Sequence, residues 1–425
     1  GALSGGGSCG NDTFETALAR EVQQHAGERF IILNDEQHLI IVEDDEPFAR
    51  VLLDLARERG FKCIVATTAA AAERAVRRYK PAAITLDIHL PDRDGMALFD
   101  QWKHDKATRH IPVHIISSDA VDERGLRLGA LGWLQKPVTR EAVSAAMEHI
   151  GEFVRRSVRR LLVVEDNAAE RQAIADLIGD GDVTTTAVGT ATEALAALEA
   201  GAFDCAVVDL GLPDMPGLEL IRRIRALPDG TMLPIIIHTG QPLSPLDEAE
   251  LNRLGKSLII KDARSPERLL DETALFLHRV QTKLPSAKRE LIEKAHLSDP
   301  VLAGRTVLVV DDDVRNVYAL TAALERLQMR VLPAENGREA LEQLEREPNI
   351  DVVLMDVMMP EMDGFECTRR IRAEARWKNL PVIAVTAKAM KGSREQCVAA
   401  GASDYISKPV DMAQLRSLLR VWLYR

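Results

Sequence analysis

The sequence predicts an α/β chain of three consecutive domains, each a five-stranded parallel sheet covered by helices on both faces. Three observations predict it: the length, a set of motifs that recurs three times, and short apolar runs that alternate with helical patterns. At 425 residues the chain exceeds one ordinary hydrophobic core and suits three domains of roughly 150 residues. With 46% apolar and 28% charged residues the balance is globular, and the longest apolar runs, such as Leu39 to Val42, are strand-sized rather than membrane-sized. No signal peptide or transmembrane segment is read.

The recurrence sets the domains. LIIVEDDEPF from Leu39, LLVVEDNAAE from Leu161 and VLVVDDDVRN from Val307 each run four apolar residues into an acid pair. From the second acid of each pair, 43 or 44 residues lead to Asp87, Asp209 and Asp356, in AITLDIHLPDRDG, AVVDLGLPDMPG and VVLMDVMMPEMDG. A hydroxyl follows 30 residues later at the end of an apolar run: Ser117, Thr239 and Thr386. Lysines close the sets, Lys136, Lys261 and Lys408, after a further 19, 22 and 22 residues. A period of about one domain marks duplicated domains, not a solenoid.

Within each unit, apolar runs alternating with helical spacing read as a βα repeat. In the third unit strands are expected near Thr306 to Val310, Val331, Val352 to Met355, Val382 to Val385 and Tyr405 to Ile406. Val317, Leu320, Leu324 and Leu327 line one face of a helix between the first two. Five strands with five helices give the flavodoxin-like (βα)5 doubly wound fold, strand order 2-1-3-4-5. The phasing places the domains at 38–155, 156–282 and 304–425. Residues 1–37 form a glycine-rich segment with a short helix carrying Phe14, Leu18 and Val22. Residues 283–303 form a charged linker, helical or flexible.

Charge and cysteines narrow the function. A net charge of −11 argues against a nucleic-acid surface, and the cluster Arg155, Arg156, Arg159 and Arg160 reads as a solvated helix face. The five cysteines lack any paired spacing, which argues for reduced thiols without disulfides or zinc.

The motif residues all fall at the carboxyl ends of strands, where ligands collect in an open parallel sheet. Three crowded carboxylates such as Asp311, Asp312 and Asp356 repel and raise one another's pKa unless a cation intervenes. Mg²⁺, a hard ion that prefers oxygen ligands, is the expected occupant, with Mn²⁺ as an alternative. A metal-bound aspartate can attack a labile phosphoryl donor, with the lysine and the hydroxyl on the transferred oxygens. A haloacid-dehalogenase phosphatase also uses an aspartate and Mg²⁺ but needs a second aspartate two residues on, where this chain has His89, Gly211 and Met358.

On these motifs the chain resembles the receiver domains of bacterial two-component systems, over nearly all of 38–425. The resemblance implies phosphoacceptors at Asp87, Asp209 and Asp356, with catalytic roles for Ser117, Lys136, Thr239, Lys261, Thr386 and Lys408. It implies metal ligands at Glu43, Asp44, Asp87 and the His89 carbonyl; at Glu165, Asp166, Asp209 and the Gly211 carbonyl; and at Asp311, Asp312, Asp356 and the Met358 carbonyl. The Lys-Pro step, often a cis bond, is matched by Lys136-Pro137 and Lys408-Pro409, and the aromatic switch by Trp133 and Tyr405. The middle unit departs, with Asp262 after Lys261 and Leu258 at the switch position. Motif completeness ranks the third unit first for phosphotransfer, then the first, then the second.

The implied donor is a phosphohistidine on a histidine kinase domain, in cis or trans, or on a phosphotransfer protein. The implied setting is cytoplasmic, tethered to a membrane through a parent sensor if there is one, without direct membrane or nucleic-acid contact, and a homodimer is an open expectation. With no phosphoacceptor-histidine motif or ATP lid read in these residues, the arrangement resembles the receiver array of a hybrid sensor histidine kinase. The alternative is a free-standing multi-receiver regulator acting as relay, phosphate sink or scaffold.

Overall fold

The computed structural model describes residues 38–119, 123–227, 233–239, 251, 260–262, 265–295, 299, 301–386 and 393–423. The N-terminal segment with Phe14, Leu18 and Val22, and the Leu258 position, lie outside these residues.

Three parallel sheets of five strands follow one another along the chain. The first contains β1 (His38–Val42), β2 (Lys62–Ala66), β3 (Ala83–Leu86), β4 (Val113–Ser117) and β5 (Gly132–Gln135), in the order β2-β1-β3-β4-β5. The second contains β6 (Arg159–Val164), β7 (Val183–Val188), β8 (Cys205–Val208), β9 (Ile235–Ile237) and β10 (Ile260–Asp262), in the order β10-β9-β8-β6-β7. The third contains β11 (Thr306–Val310), β12 (Arg330–Ala334), β13 (Val352–Asp356), β14 (Val382–Thr386) and β15 (Asp404–Ser407), in the order β12-β11-β13-β14-β15. Each order is the 2-1-3-4-5 arrangement, the second read from its other edge. Central strands such as β3, β8 and β13 are buried along their whole length, as strands covered on both faces must be.

The helices start where the sequence supplies caps. Asp45 accepts from the Phe48 N–H at 3.2 Å, Asn167 from the Ala169 N–H at 2.9 Å and Asp313 from the Arg315 N–H at 2.9 Å, each directly after an acid pair. In the third unit, helix Val314–Glu325 buries Leu320 and Leu324 as its spacing predicts, while Leu327 lies past the helix end in the turn leading to β12.

The arginine cluster is not a solvated helix face. Helix Arg140–Arg155 ends within it, and Arg159 and Arg160 open β6. Arg159 lies 3.7 Å over the Phe153 ring and donates to the carbonyls of Phe153, Arg156 and Leu277, while Arg156 pairs with Asp204 at 3.0 Å. Arg156 and Arg159 thus stack and hydrogen-bond at the junction of the first two units, while Arg155 and Arg160 stay exposed.

The stretch after the second unit contains helix Ser286–Ala295, which packs on helix Pro266–Phe276 through Leu270, Ala274, Leu284 and Ile292. The third unit then returns to the first. Helix Met412–Leu423 lies against helix Gly95–His104, and its Val421 joins the first unit's core beside Phe99 and Trp102. Buried Arg420 donates to Asp299 at 2.7 Å and reaches Asp100 at 3.5 Å, so that contact between units includes a desolvated charge network.

Candidate functional site: three carboxylate pockets

In each unit the first strand delivers the acid pair and the third delivers the acceptor aspartate to one end of the sheet. Glu43, Asp44 and Asp87 each place a carboxylate oxygen within 4.8 Å of the others, as do Glu165, Asp166 and Asp209, and Asp311, Asp312 and Asp356. In all three trios the first acid is buried and the second exposed. A trio is thus anchored inside the fold and open at its mouth.

In the first pocket the Lys136 ammonium donates to both Glu43 oxygens at 2.8 and 2.9 Å and to Asp87 Oδ2 at 2.6 Å. Its backbone is fixed by an N–H bond to the Ser117 carbonyl at 2.7 Å, and Ser117 itself is fully buried at the end of β4. The other Asp87 oxygen accepts from the His89 N–H at 3.1 Å, and the His89 ring meets Asp119 at 3.0 Å. Burial pushes the Glu43 carboxyl up, with the neighbouring Asp87 charge adding to it and Lys136 opposing.

The third pocket repeats this arrangement. Lys408 donates to Asp311 Oδ2 and Asp356 Oδ2, both at 2.7 Å, and its N–H bonds the Thr386 carbonyl at 2.7 Å. The Met358 N–H reaches Asp356 Oδ1 at 3.3 Å, and Asn316 Nδ2 lies 3.1 Å from Asp311 Oδ1. Burial raises the Asp356 pKa, while the two carboxylates pull that of Lys408 up against its own burial. Both Lys136-Pro137 and Lys408-Pro409 are cis. Trp133 is buried on β5, and Tyr405 on β15 is half-buried.

The second pocket differs. Glu165, Asp166 and Asp209 converge, Thr239 is buried two residues past the end of β9, and the Gly211 N–H donates to Asp209 at 3.1 Å. Burial, followed by the charges of Asp209, Glu170 and Asp166, lifts Glu165 to about 7. Lys261 is not brought to the level of its counterparts. Ser117 pairs with Gln135 and Thr386 with Ser407, so Lys136 and Lys408 each stand one residue beyond the hydroxyl's level. Lys261 lies inside β10 opposite Ile236, short of Thr239, and its side chain lies outside the described residues. Arg171 donates to the Glu165 and Asp166 carbonyls at 2.6 and 3.1 Å, a cation beside the acid pair that the motifs do not indicate.

Three glycines close the acceptor motifs, each eight residues after its acceptor, and nothing in the sequence indicated their role: Gly95, Gly217 and Gly364. A Cβ on Gly95 would lie 2.5 Å from the Asp87 carbonyl oxygen, and one on Gly217 would lie 2.5 Å from Leu210 Cα. A Cβ on Gly364 would press on the Asp356 carbonyl oxygen. The helix start rests directly on the acceptor loop and leaves no room for a side chain.

The chain is also similar in sequence to known proteins. Protein PilH of Pseudomonas aeruginosa is 43% identical over 105 residues, 25% of this chain and 86% of that protein. The signal transduction histidine-protein kinase BarA of Escherichia coli K12 is 29% identical over 266 residues, 61% of this chain. The chain spans only 27% of that kinase's length. Among solved structures, the receiver domain of a Pseudomonas aeruginosa sensor histidine kinase, with a magnesium ion coordinated in its active-site cleft, is 38% identical. It covers 29% of this chain and 100% of that one, at a TM-score of 0.28. A family model for the response regulator receiver domain matches residues 39–148, 161–273 and 307–420, and the chain therefore belongs to the receiver family of two-component phosphorelay signalling, three times over.

Proposed function

We propose that the chain accepts phosphoryl groups from phosphohistidine onto Asp356 and Asp87, and weakly onto Asp209, as the receiver portion of a hybrid histidine kinase. We assign the receivers to 38–155, 156–282 and 304–425 and propose a cytoplasmic setting for them. The observation that carries the reading is the carboxylate trio with one lysine bonded across it, found in the first and third receivers.

The donor set suits Mg²⁺, with Mn²⁺ able to substitute: oxygen ligands only, two acids next to each other in sequence, and an open mouth. The trio carboxylates, together with the carbonyls of His89, Gly211 and Met358, would hold it. Such an ion supplies charge neutralisation for the attacking and transferring oxygens. The aspartate oxygen forms a bond to phosphorus as the donor's imidazole nitrogen leaves. Lys136 or Lys408, already bonded to the acceptor, is placed to hold an oxygen of the arriving group. Ser117 or Thr386, on the adjoining strand, offers a hydroxyl to another.

The third receiver is best equipped to meet a donor protein. Val314, Tyr318 and Met358 are 64%, 76% and 71% exposed around its mouth, an apolar rim suited to a helical partner. The matching positions hold Glu46, Arg50 and His89 in the first receiver and Ala168, Gln172 and Gly211 in the second.

Incubation with a small phosphodonor and Mg²⁺ is expected to give acid-stable, hydroxylamine-sensitive label. Single Asp→Ala variants should rank Asp356 first, Asp87 second and Asp209 last. Label found chiefly on Asp209 overturns the ranking, and labelling indifferent to Mg²⁺ overturns the metal assignment.

A further inference from the structure

The third receiver grips the first through the strand that leads to its own pocket lysine. Tyr405 stands three residues before Lys408, and its hydroxyl donates to the backbone carbonyl of Asp92 at 2.9 Å. Asp92 lies in the loop between the acceptor Asp87 and the helix that starts at Gly95. The same residue is held from within its own receiver, because its carboxylate accepts from the Ala69 and Ala70 N–H groups at 2.8 and 3.0 Å. One residue of the Asp87 loop is therefore fixed by its side chain from one receiver and by its carbonyl from another.

The surrounding contact makes this grip well defined. Arg420 bridges buried Asp100 and Asp299, Val421 sits in the first receiver's core, and Trp422 Nε1 donates to Asp404 Oδ2 at 3.3 Å, tying the docked helix back to β15. At the other end of the path, Lys408 is shared between Asp311 and Asp356 at 2.7 Å each. A phosphoryl group on Asp356 brings new charge and acceptor oxygens to that spot, so Lys408 and the Thr386 hydroxyl must re-aim toward it. β14 and β15 are bonded in register, Ala384 to Tyr405 and Thr386 to Ser407, so a shift at their ends reaches Tyr405 through two short strands.

We propose that a phosphoryl group on Asp356 frees Tyr405 from Asp92 and thereby loosens the Asp87 loop, so that the third receiver sets how the first reacts. The inference rests on reading Asp356 as an acceptor. Coupling between binding sites is reciprocal, so loading Asp87 shifts the affinity of the Asp356 pocket by the same factor.

The test uses the full chain carrying Asp87→Asn, so that the first pocket cannot be loaded, with Mg²⁺ and beryllofluoride as the phosphoryl mimic. Hydrogen exchange of residues 88–94 is read by mass spectrometry, and fluorine NMR reports loading of Asp356 against an Asp87→Asn/Asp356→Asn control. One neutral hydrogen bond is worth about 1 kcal/mol, so loading is expected to speed exchange in the loop about fivefold. Tyr405→Phe should give the same acceleration without the mimic and remove the response to it. If Asp356 is loaded but the loop is unchanged, or Tyr405→Phe leaves exchange as in the parent chain, the coupling is wrong and the acceptor reading stands. If Asp356 takes up no beryllofluoride, the acceptor reading fails and the coupling with it.

Discussion

Replacing Lys408 with Met tests whether the third pocket is a cation-dependent cluster. Asp311 and Asp356 are 2% and 3% exposed, and Lys408 bonds both at 2.7 Å. Without the ammonium, two carboxylates face each other with oxygens within 4.8 Å. At an effective dielectric near 20 that separation gives about 3 kcal/mol of repulsion, and removing one partner of a buried ion pair costs about 3–5 kcal/mol. These figures overlap because they describe the same uncompensated charge, and the open mouth at Asp312 screens part of it. In chelator, Lys408→Met should lower the opening free energy of residues 306–386 by about 3 kcal/mol, a roughly hundredfold rise in hydrogen exchange. A divalent ion at a hundred times its Kd returns about 2.7 kcal/mol, so Mg²⁺ should restore most of the loss. A loss below about 1 kcal/mol in chelator, or one that Mg²⁺ leaves unchanged, would refute the argument that lysine and metal share the task of neutralising this trio.

Further substitutions and conditions probe the same architecture. Gly364→Ala forces the helix start away from the Asp356 carbonyl; overpacking of this kind costs about 1–3 kcal/mol, and label on Asp356 should fall while label on Asp87 persists. Equal loss at both sites would show that the close approach is not local. Burial opposes ionisation of Asp100 and Asp299, but His104 and Arg420 outweigh it at the first, and Arg420 and Arg416 at the second, so both carboxyls sit below their usual range. Folded values below unfolded ones mean that this docking stability is present above about pH 4 and lost as pH falls through the depressed values. Exchange protection of residues 412–423, followed during acidification, should hold to about pH 4; loss between pH 5 and 7 would contradict it. In the second receiver, Lys261→Met should change labelling of Asp209 far less than Lys136→Met changes that of Asp87, because β10 holds Lys261 opposite Ile236. Comparable losses in a phosphodonor assay would show that Lys261 reaches the pocket.

The fold was legible because its signals are local. Four apolar residues followed by two acids predicted β1, β6 and β11, and the spacing of Leu320 and Leu324 predicted the buried face of their helix. Acceptor and hydroxyl were legible for the same reason, each ending an apolar run, and the lysines by their intervals from the hydroxyls. What the spacing could not convey was register. Thr239 and Lys261 stand as far apart in sequence as Thr386 and Lys408, yet β10 pairs with β9 lower down than β15 pairs with β14. Contacts between units were equally hidden. Arg155 to Arg160 carry the charge pattern of a solvated face, and only the positions of Phe153 and Asp204 show where the guanidiniums go. Tyr405 has a local role in the motif, but nothing near it in sequence indicates a bond to Asp92, 313 residues away.

The seat of Val421 among Phe99 and Trp102 has a consequence for how the chain is made. A ribosome delivers residues 95–104 roughly 15 to 60 s before residues 412–423, at the usual 5–20 residues per second. During that interval the first receiver has left the exit tunnel with an apolar flank uncovered, and two further domains must emerge before its cover arrives. Premature partners, including the same flank on a neighbouring nascent chain, compete for it throughout. Destabilising helix Met412–Leu423 would therefore show first as aggregation during synthesis, with the fault displayed two domains upstream.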